Sequence, residues 1–225
     1  MREPLVIAVD GPAASGKSTL ARRLAAALGL AFLDTGLLYR AVGRRVLEAG
    51  GDPADPAAAL AAVAGLSPEE VQAERLAGEE IGEAASKVAA IPAVREALLP
   101  WQRRLAATPP GAVLAGRDVG TVVCPDAALK LFVTADLAER ARRRFEELRR
   151  RGRTPMLEHV LDELRERDRR DTERAVAPLR AADDALVLDT TELDADAAFA
   201  VALQRAEAAR ARHAGPGASR TSVNP

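Results

Sequence analysis

A chain of 225 residues that is 48% hydrophobic can bury one substantial core, and its length suits an α/β domain carrying a small inserted region. A net charge of −1 with 3% aromatic residues argues against a nucleic-acid binder, which needs a positive field and stacking side chains. The single cysteine, Cys124, excludes internal disulfides and a zinc cluster, no apolar run is long enough to span a bilayer, and no signal sequence precedes residue 5, so the cytoplasm is the expected compartment.

Leu5 to Val9 is short, branched and wholly apolar, as a strand buried on both faces is. Directly after it, Gly11-Pro12-Ala13-Ala14-Ser15-Gly16-Lys17-Ser18 fits G-x-x-x-x-G-K-[ST], and Thr19 to Leu30 has helical periodicity at Leu20, Ala21, Leu24 and Leu28. The loop therefore joins a strand to a helix N-terminus, where unpaired amides and the helix dipole converge on a phosphate chain. Gly11 to Thr19 is the candidate nucleoside triphosphate site. Lys17 is expected to reach the terminal phosphates, and Ser18 to offer its hydroxyl to Mg²⁺. Only Lys17, Lys87 and Lys130 are lysines among many arginines, which marks the compact ammonium at this position.

Four further apolar runs follow at Ala31–Leu33, Ala112–Ala115, Leu129–Val133 and Ala185–Leu188, separated by helical stretches, which predicts a parallel sheet covered on both faces. The second and third runs are about eighty residues apart, far more than one crossover helix needs, so Gly36 to Pro110 must hold an additional helical region. Ligands of such sheets sit beyond the carboxyl ends of the strands. Those ends carry Asp34-Thr35-Gly36 leading to Tyr39-Arg40, and Gly116-Arg117-Asp118-Val119-Gly120. Asp34 and Asp189 each end a run and read equally as metal carboxylates or as strand-end residues. Cys124 reads as a small buried hydrophobe.

Asp136 to Arg151 carries an apolar stripe of Leu137, Ala141, Phe145 and Leu148 and runs into an arginine-rich turn, Arg149 to Pro155, suited to a lid. Met156 to Ala177 reads as one helix whose Val160, Leu164, Arg167, Asp171 and Arg174 share a face, turning from core to polar cleft. Arg165, Arg169 and Arg170, alternating with Glu163, Glu166 and Asp168, read as a surface ion-pair ladder. His159 and His213 read as helical and non-catalytic. The tail beyond His213 has a disordered composition.

Taken together, Ile7 to Pro12 running into the loop, Leu33-Asp34-Thr35-Gly36 with Tyr39-Arg40, Gly116 to Thr121, and Arg167-Asp168-Arg169-Arg170-Asp171 continuing to Arg174-Ala175-Val176-Ala177-Pro178-Leu179 resemble the bacterial cytidylate kinases, in the family's order, over residues 4 to 206. The resemblance implies the three-layer α/β fold of the P-loop NTPases with a five-stranded parallel sheet. It implies a single kinase domain over 1–213, with a mostly helical nucleotide-binding region at about 36–110, a short helical lid at about 149–156 and a disordered tail over 214–225. The implied reaction is γ-phosphoryl transfer from ATP to CMP or dCMP with Mg²⁺, by a monomer needing neither nucleic acid nor membrane. By position, Thr35, Arg95 and Asp118 would read cytosine, while Ser86, Arg167 and Asp171 would hold the sugar. Arg40, Arg117 and Arg174 would grip the monophosphate beside Tyr39, and Lys17, Arg117 and Arg174 would carry the transfer. Many bacterial members have a small β-sheet insert ahead of the Ser86 block; here Leu66 to Gly78 is short and not strand-like, so the insert is expected to be reduced or missing.

Two other readings of the P-loop remain at this point. One is a kinase for a different small acceptor, distinguished by whether Asp118 and Arg95 face a base. The other is a nucleotide switch or ATPase; for a GTPase switch the guanine-reading Asn-Lys-x-Asp is absent, since Asn224 is the only asparagine.

Overall fold

The computed structural model describes residues 3–71 and 76–215. Five parallel strands, β1 (Leu5–Asp10), β2 (Ala31–Asp34), β3 (Gly111–Gly116), β4 (Leu129–Thr134) and β5 (Leu186–Asp189), form one sheet in the order β2-β3-β1-β4-β5. All five lie where the apolar runs predict, with ends shifted by a residue; Ala185 falls outside β5 and Asp189 within it. Side chains alternate across a strand, so β1 and β3 must supply both faces. Ile7, Val9, Val113 and Ala115 pack beneath α1 (Lys17–Leu28) and α8 (Ala195–His213), whereas Ala8, Ala112 and Leu114 pack on the opposite side with Ala106 and Val119. Each fully buried branched side chain contributes about 1.5–3 kcal/mol, which fixes this three-layer register.

Between β2 and β3 lie α2 (Gly36–Glu48), α3 (Pro56–Ala64), α4 (Glu79–Val88) and α5 (Pro92–Ala106). They share a second core around Leu38, Val42, Val46, Val88, Val94 and Leu98. The Asp55 carboxylate starts α3 by accepting from the Ala57 and Ala58 amides, with Pro56 in the first turn where no N–H is needed. Among the described residues of this region there is no strand; Leu66 to Val71 holds a 3₁₀ turn at Pro68–Glu70 capped by Ser67, and residues 72–75 lie outside the described residues.

Beyond β4, α6 (Leu137–Arg150) and α7 (Leu157–Glu173) form a hairpin joined by a turn over 151–156. Two expectations need correction here. Helix α7 stops at Glu173, so Arg174 sits on extended backbone rather than on the helical stripe. Pro178 has no N–H to give the Arg174 carbonyl, and the Leu179 amide instead donates to Asp171 O (2.7 Å) while Arg174 Nε donates to Ala177 O (2.6 Å). Asp168 also leaves the surface ladder: it pairs with the buried Arg140 at 2.7 Å, because that guanidinium occupies the inner face of α6 and needs a counter-ion. Arg165 and Arg169 do make exposed pairs, with Asp162 and with Glu166 and Glu173. Among the described residues no helix is long and apolar enough to cross a membrane. The expected disordered tail, beyond Gly215, lies outside the described residues.

Candidate active site

A cleft of about 890 Å³ opens at the carboxyl ends of the strands, walled by the P-loop, Asp34, Arg40, Arg117, Arg167 and the side of α6 that carries Glu139, Arg143 and Arg144. Gly11 leaves β1 at φ 151°, and a Cβ there would sit 2.0 Å from Val133 O, so only glycine lets the loop turn against β4. Gly16 at φ 85° then opens α1 and leaves its first amides free for an anion. Lys17 is buried and donates to Pro12 O at 3.1 Å. Burial first, and the Arg117 guanidinium second, push its ammonium well below the usual lysine range, an excess of positive charge that a polyphosphate offsets.

Side chains outside the loop brace it. Arg140 donates to Ala13 O (3.3 Å) and Ala135 O (2.9 Å), and the Thr190 hydroxyl lies 3.3 Å from Ser15 O and 3.0 Å from Thr134 O. Ser18 and Asp34 line the same cleft. Asp34 Oδ1 accepts from the Gly36 amide (3.0 Å), whereas Asp189 is exposed and accepts from the amide and hydroxyl of Thr191, which makes it a strand-end turn. Magnesium fits this donor set. A hydroxyl and a carboxylate are hard oxygen donors, and with no cluster of three metal-binding side chains among the described residues, the ion would share its shell with phosphates and water, as Mg²⁺ does.

Behind the cleft, charges of alternating sign link α5, the turn after β3 and the end of α7. Arg95 from α5 donates to Asp118 Oδ2 and lies over the Tyr39 ring, 5.4 Å from its centre. Arg174 Nη2 stands 3.8 Å from Asp118 Oδ1 and its Nη1 4.0 Å from Asp171 Oδ1, and Asp171 Oδ2 accepts from Arg117 Nε at 2.8 Å. Burial works against the Asp171 carboxylate, yet Arg117, Arg167 and Arg174 together hold it below the usual range. Burial and then Arg117 bring Arg167 down to about 10. The Arg167 Nε, Arg174 Nη2, Ser15 Oγ and Ser86 Oγ are buried polar atoms with no hydrogen-bond partner among the described residues.

The structure thus brings Tyr39, Arg95, Arg117, Asp118, Asp171 and Arg174 into one network, with Arg167 beside it. Thr35 is buried at its edge, its hydroxyl donating to Ala115 O at 2.9 Å. Arg40 lies on the cleft wall and donates to Leu76 O (2.9 Å) and Gly78 O (3.2 Å). Ser86 is buried on α4, without a hydrogen bond to the rest. Of the turn arginines, Arg151 pairs with Glu147 and Arg153 with Glu79. Cys124 is half-buried, its thiol pushed up to about 11 by burial, and His213 at the end of α8 contacts Glu3 O.

Sequence reasoning missed three residues of the site. Arg140 interrupts the apolar stripe of α6, the one signal that marked it. Arg144, a cleft-lining residue of α6, is among the positive charges that depress both Arg40 and Arg167. Thr190 follows the last strand and had no local signal.

The cytidylate kinase family profile matches residues 7–208. Relatives named cytidylate kinase include one from Paramagnetospirillum magneticum, 61% identical over 88% of this chain and 95% of its own, and one from Granulibacter bethesdensis, 63% identical over 90% and 95%. Among solved structures, an uncharacterized protein from Eubacterium ventriosum shares the fold, with a TM-score of 0.55 at 15% identity over 90% of this chain and 98% of that one. A P-loop at the head of a five-stranded parallel sheet, a buried network of paired charges behind it and relatives of this closeness lead to one conclusion: the chain belongs to the cytidylate kinase family.

Proposed function

We propose that the protein transfers the γ-phosphoryl group of ATP to CMP or dCMP, giving ADP and CDP or dCDP. The observation that carries this reading is Asp118 Oδ1. It belongs to a buried carboxylate, makes no hydrogen bond among the described residues, and has Arg95 on the other oxygen of the same group. Cytosine presents an amino donor where uracil presents a carbonyl acceptor, so a carboxylate edge accepts from one base and repels the other, while Arg95 complements the acceptor edge. Thr35 completes the base site. Arg167, Asp171 and Ser86 hold the sugar, and Arg40, Arg117 and Arg174 hold the monophosphate near Tyr39.

ATP takes the cleft with its phosphates on Gly11 to Thr19. A monophosphate oxygen of the acceptor attacks the γ-phosphorus as the bond to the β,γ-bridging oxygen breaks, and ADP departs with that electron pair. No protein base is required, because the attacking oxygen is already anionic; Lys17, Arg117 and Arg174 hold reactants in line and balance the developing charge. Ser18, with Asp34 close by, would hold Mg²⁺, which when bound neutralises the β- and γ-phosphate oxygens. The region over 36–110 serves as the acceptor-binding part and the turn over 149–156 as a lid within a single domain over 1–213; a monomer in the cytoplasm, independent of nucleic acid and membrane, belongs to the same proposal.

The test is ADP formation from Mg-ATP with CMP, dCMP, UMP, AMP or no acceptor at matched concentrations. Turnover confined to CMP and dCMP supports the reading, and acceptor-independent hydrolysis or preference for another acceptor overturns it.

A further inference from the structure

Asp118 opens the π-helical turn Val119–Val123 from the N-cap position, yet its own carboxylate makes no capping bond. That is unusual chemistry for an aspartate. At an N-cap the side chain ordinarily turns back to accept from the first free amides of the helix, and removing it leaves those donors unpaired. Here the free amides are satisfied from another strand. The Val119 N–H donates to Asp10 Oδ1 (2.8 Å) and the Gly120 N–H to Asp10 Oδ2 (2.7 Å), so both oxygens of one buried carboxylate are spent on two successive amides.

The surroundings are built to this arrangement. Asp10 is the last residue of β1 and pairs in register with Gly116 of β3, immediately ahead of Arg117 and Asp118. A Cβ at Gly116 would lie 2.6 Å from Thr35 Oγ1 and 2.7 Å from Val119 Cγ2, so the turn closes over the strand end only because that residue is glycine. A Cβ at Gly120 would touch Asp10 Oδ2 at 3.4 Å and press on the Lys130 side chain, 3.2 Å from its Cδ. Desolvating a carboxylate this deeply is unfavourable and pushes its pKa up to about 6, against the pull of the two amides. An uncharged residue would fill the space without that penalty, so the carboxylate serves something other than packing.

We propose that Asp10 is a positioning residue for acceptor recognition: by capping the turn after Asp118 in its place, it frees the Asp118 carboxylate for Arg95 and the acceptor base. Asp10 also adjoins Gly11 in the chain, so one residue fixes the start of the donor loop and the backbone of the base reader. The inference rests on the assignment of Asp118 to cytosine under the proposed function. Without Asp10 the Val119 and Gly120 amides lose their acceptor, and the Asp118 carboxylate, at the N-cap, turns into the capping position and withdraws from the base.

Asp10→Asn tests this with little change in shape. The amide keeps one acceptor oxygen and opposes an NH₂ to the second backbone N–H. The measurement is the ratio of kcat/KM for CMP to that for UMP, together with KM for ATP, in wild type, Asp10→Asn and Asp118→Ala. The ratio is the diagnostic quantity, since a general loss of stability lowers both rates and leaves it unchanged. Expected for Asp10→Asn is a tenfold or greater fall in the ratio, carried mainly by a raised KM for CMP, with KM for ATP within about twofold of wild type. If Asp118→Ala collapses the ratio and Asp10→Asn leaves it intact, Asp10 is not a positioning residue. If Asp118→Ala itself leaves the ratio intact, the base reading fails and the role of Asp10 falls with it. Should Asp10→Asn not fold, Asp10→Ser, which is smaller and offers one hydroxyl acceptor, takes its place: a fallen ratio again supports the positioning role, and an intact one overturns it.

Discussion

The proposed donor loop in the cleft and the proposed acceptor network behind it are built on opposite plans. The donor loop is one continuous stretch, Gly11 to Ser18, whose working parts are backbone amides, a lysine and a helix terminus, shaped by local dihedral angles. The proposed acceptor network is assembled from side chains of α5, the turn after β3 and the end of α7, held together by mutual charge pairing, with Tyr39 of α2 under the Arg95 guanidinium. A backbone site tolerates change around it as long as its glycines and lysine remain. A network of buried charges is cooperative, and removing one member leaves its neighbours unpaired.

That contrast sets the order of effects. Lys17→Ala deletes the one side chain the donor loop cannot replace, and a fall in kcat of at least about a thousandfold, about 4 kcal/mol of transition-state stabilisation, is expected with the melting temperature unchanged. Steady-state kinetics alongside a thermal melt check it; near-normal turnover would remove the loop from the mechanism.

Asp10 stands on the border of the two sides, and its titration tests how deeply that border is buried. Its folded pKa of about 6 lies above the ordinary 3.8, so between those values the folded chain binds the proton more tightly than the unfolded one. Stability contributed by this group is therefore fully present below the lower value and is lost as pH rises to about 6, at most about 3 kcal/mol. Denaturation of wild type and Asp10→Asn from pH 4 to 7 should show wild type losing ground to the variant as pH rises. Parallel curves would mean that the carboxylate is better solvated than the structure has it.

Arg140 breaks the separation between the sides, since it touches the P-loop carbonyl of Ala13 and pairs with Asp168, next to Arg167 on α7. Arg140→Met should destabilise the fold by about 2–3 kcal/mol and raise KM for ATP and for CMP together. An effect on ATP alone would confine Arg140 to the donor side. The smallest effect is at the base: Asp118→Ala should reduce kcat/KM for CMP about thirtyfold, about 2 kcal/mol, and that for UMP far less. An equal loss on both acceptors would put Asp118 among purely structural residues.

The same contrast explains what was legible in the sequence. The donor loop could be read because its chemistry is contiguous, and the five strands because runs such as Leu5 to Val9 are apolar on both faces. On the acceptor side, Arg117 and Asp118 stood out at a strand end, but Arg95 on α5 and Ser86 on α4 came only through the family resemblance, since nothing local separates them from surface residues of a helix. Periodicity puts Arg174 on the wrong backbone because the 3.6-residue repeat runs one position past the helix, whose end is closed by the Leu179 amide on Asp171 O. Asp168 misleads for a similar reason: its neighbours alternate in charge like a solvated ladder, and only the crossing of α6 over α7 brings Arg140 to it. The capping role of Asp10 is a contact between β1 and a turn more than a hundred residues away, beyond any local pattern.

The most direct test of two sides built independently is calorimetric titration of CMP into wild type, Lys17→Ala and Asp118→Ala in the absence of ATP. Lys17→Ala should bind CMP within about threefold of wild type while Asp118→Ala binds it at least tenfold more weakly. Comparable loss in both variants, or none in Asp118→Ala, would contradict it.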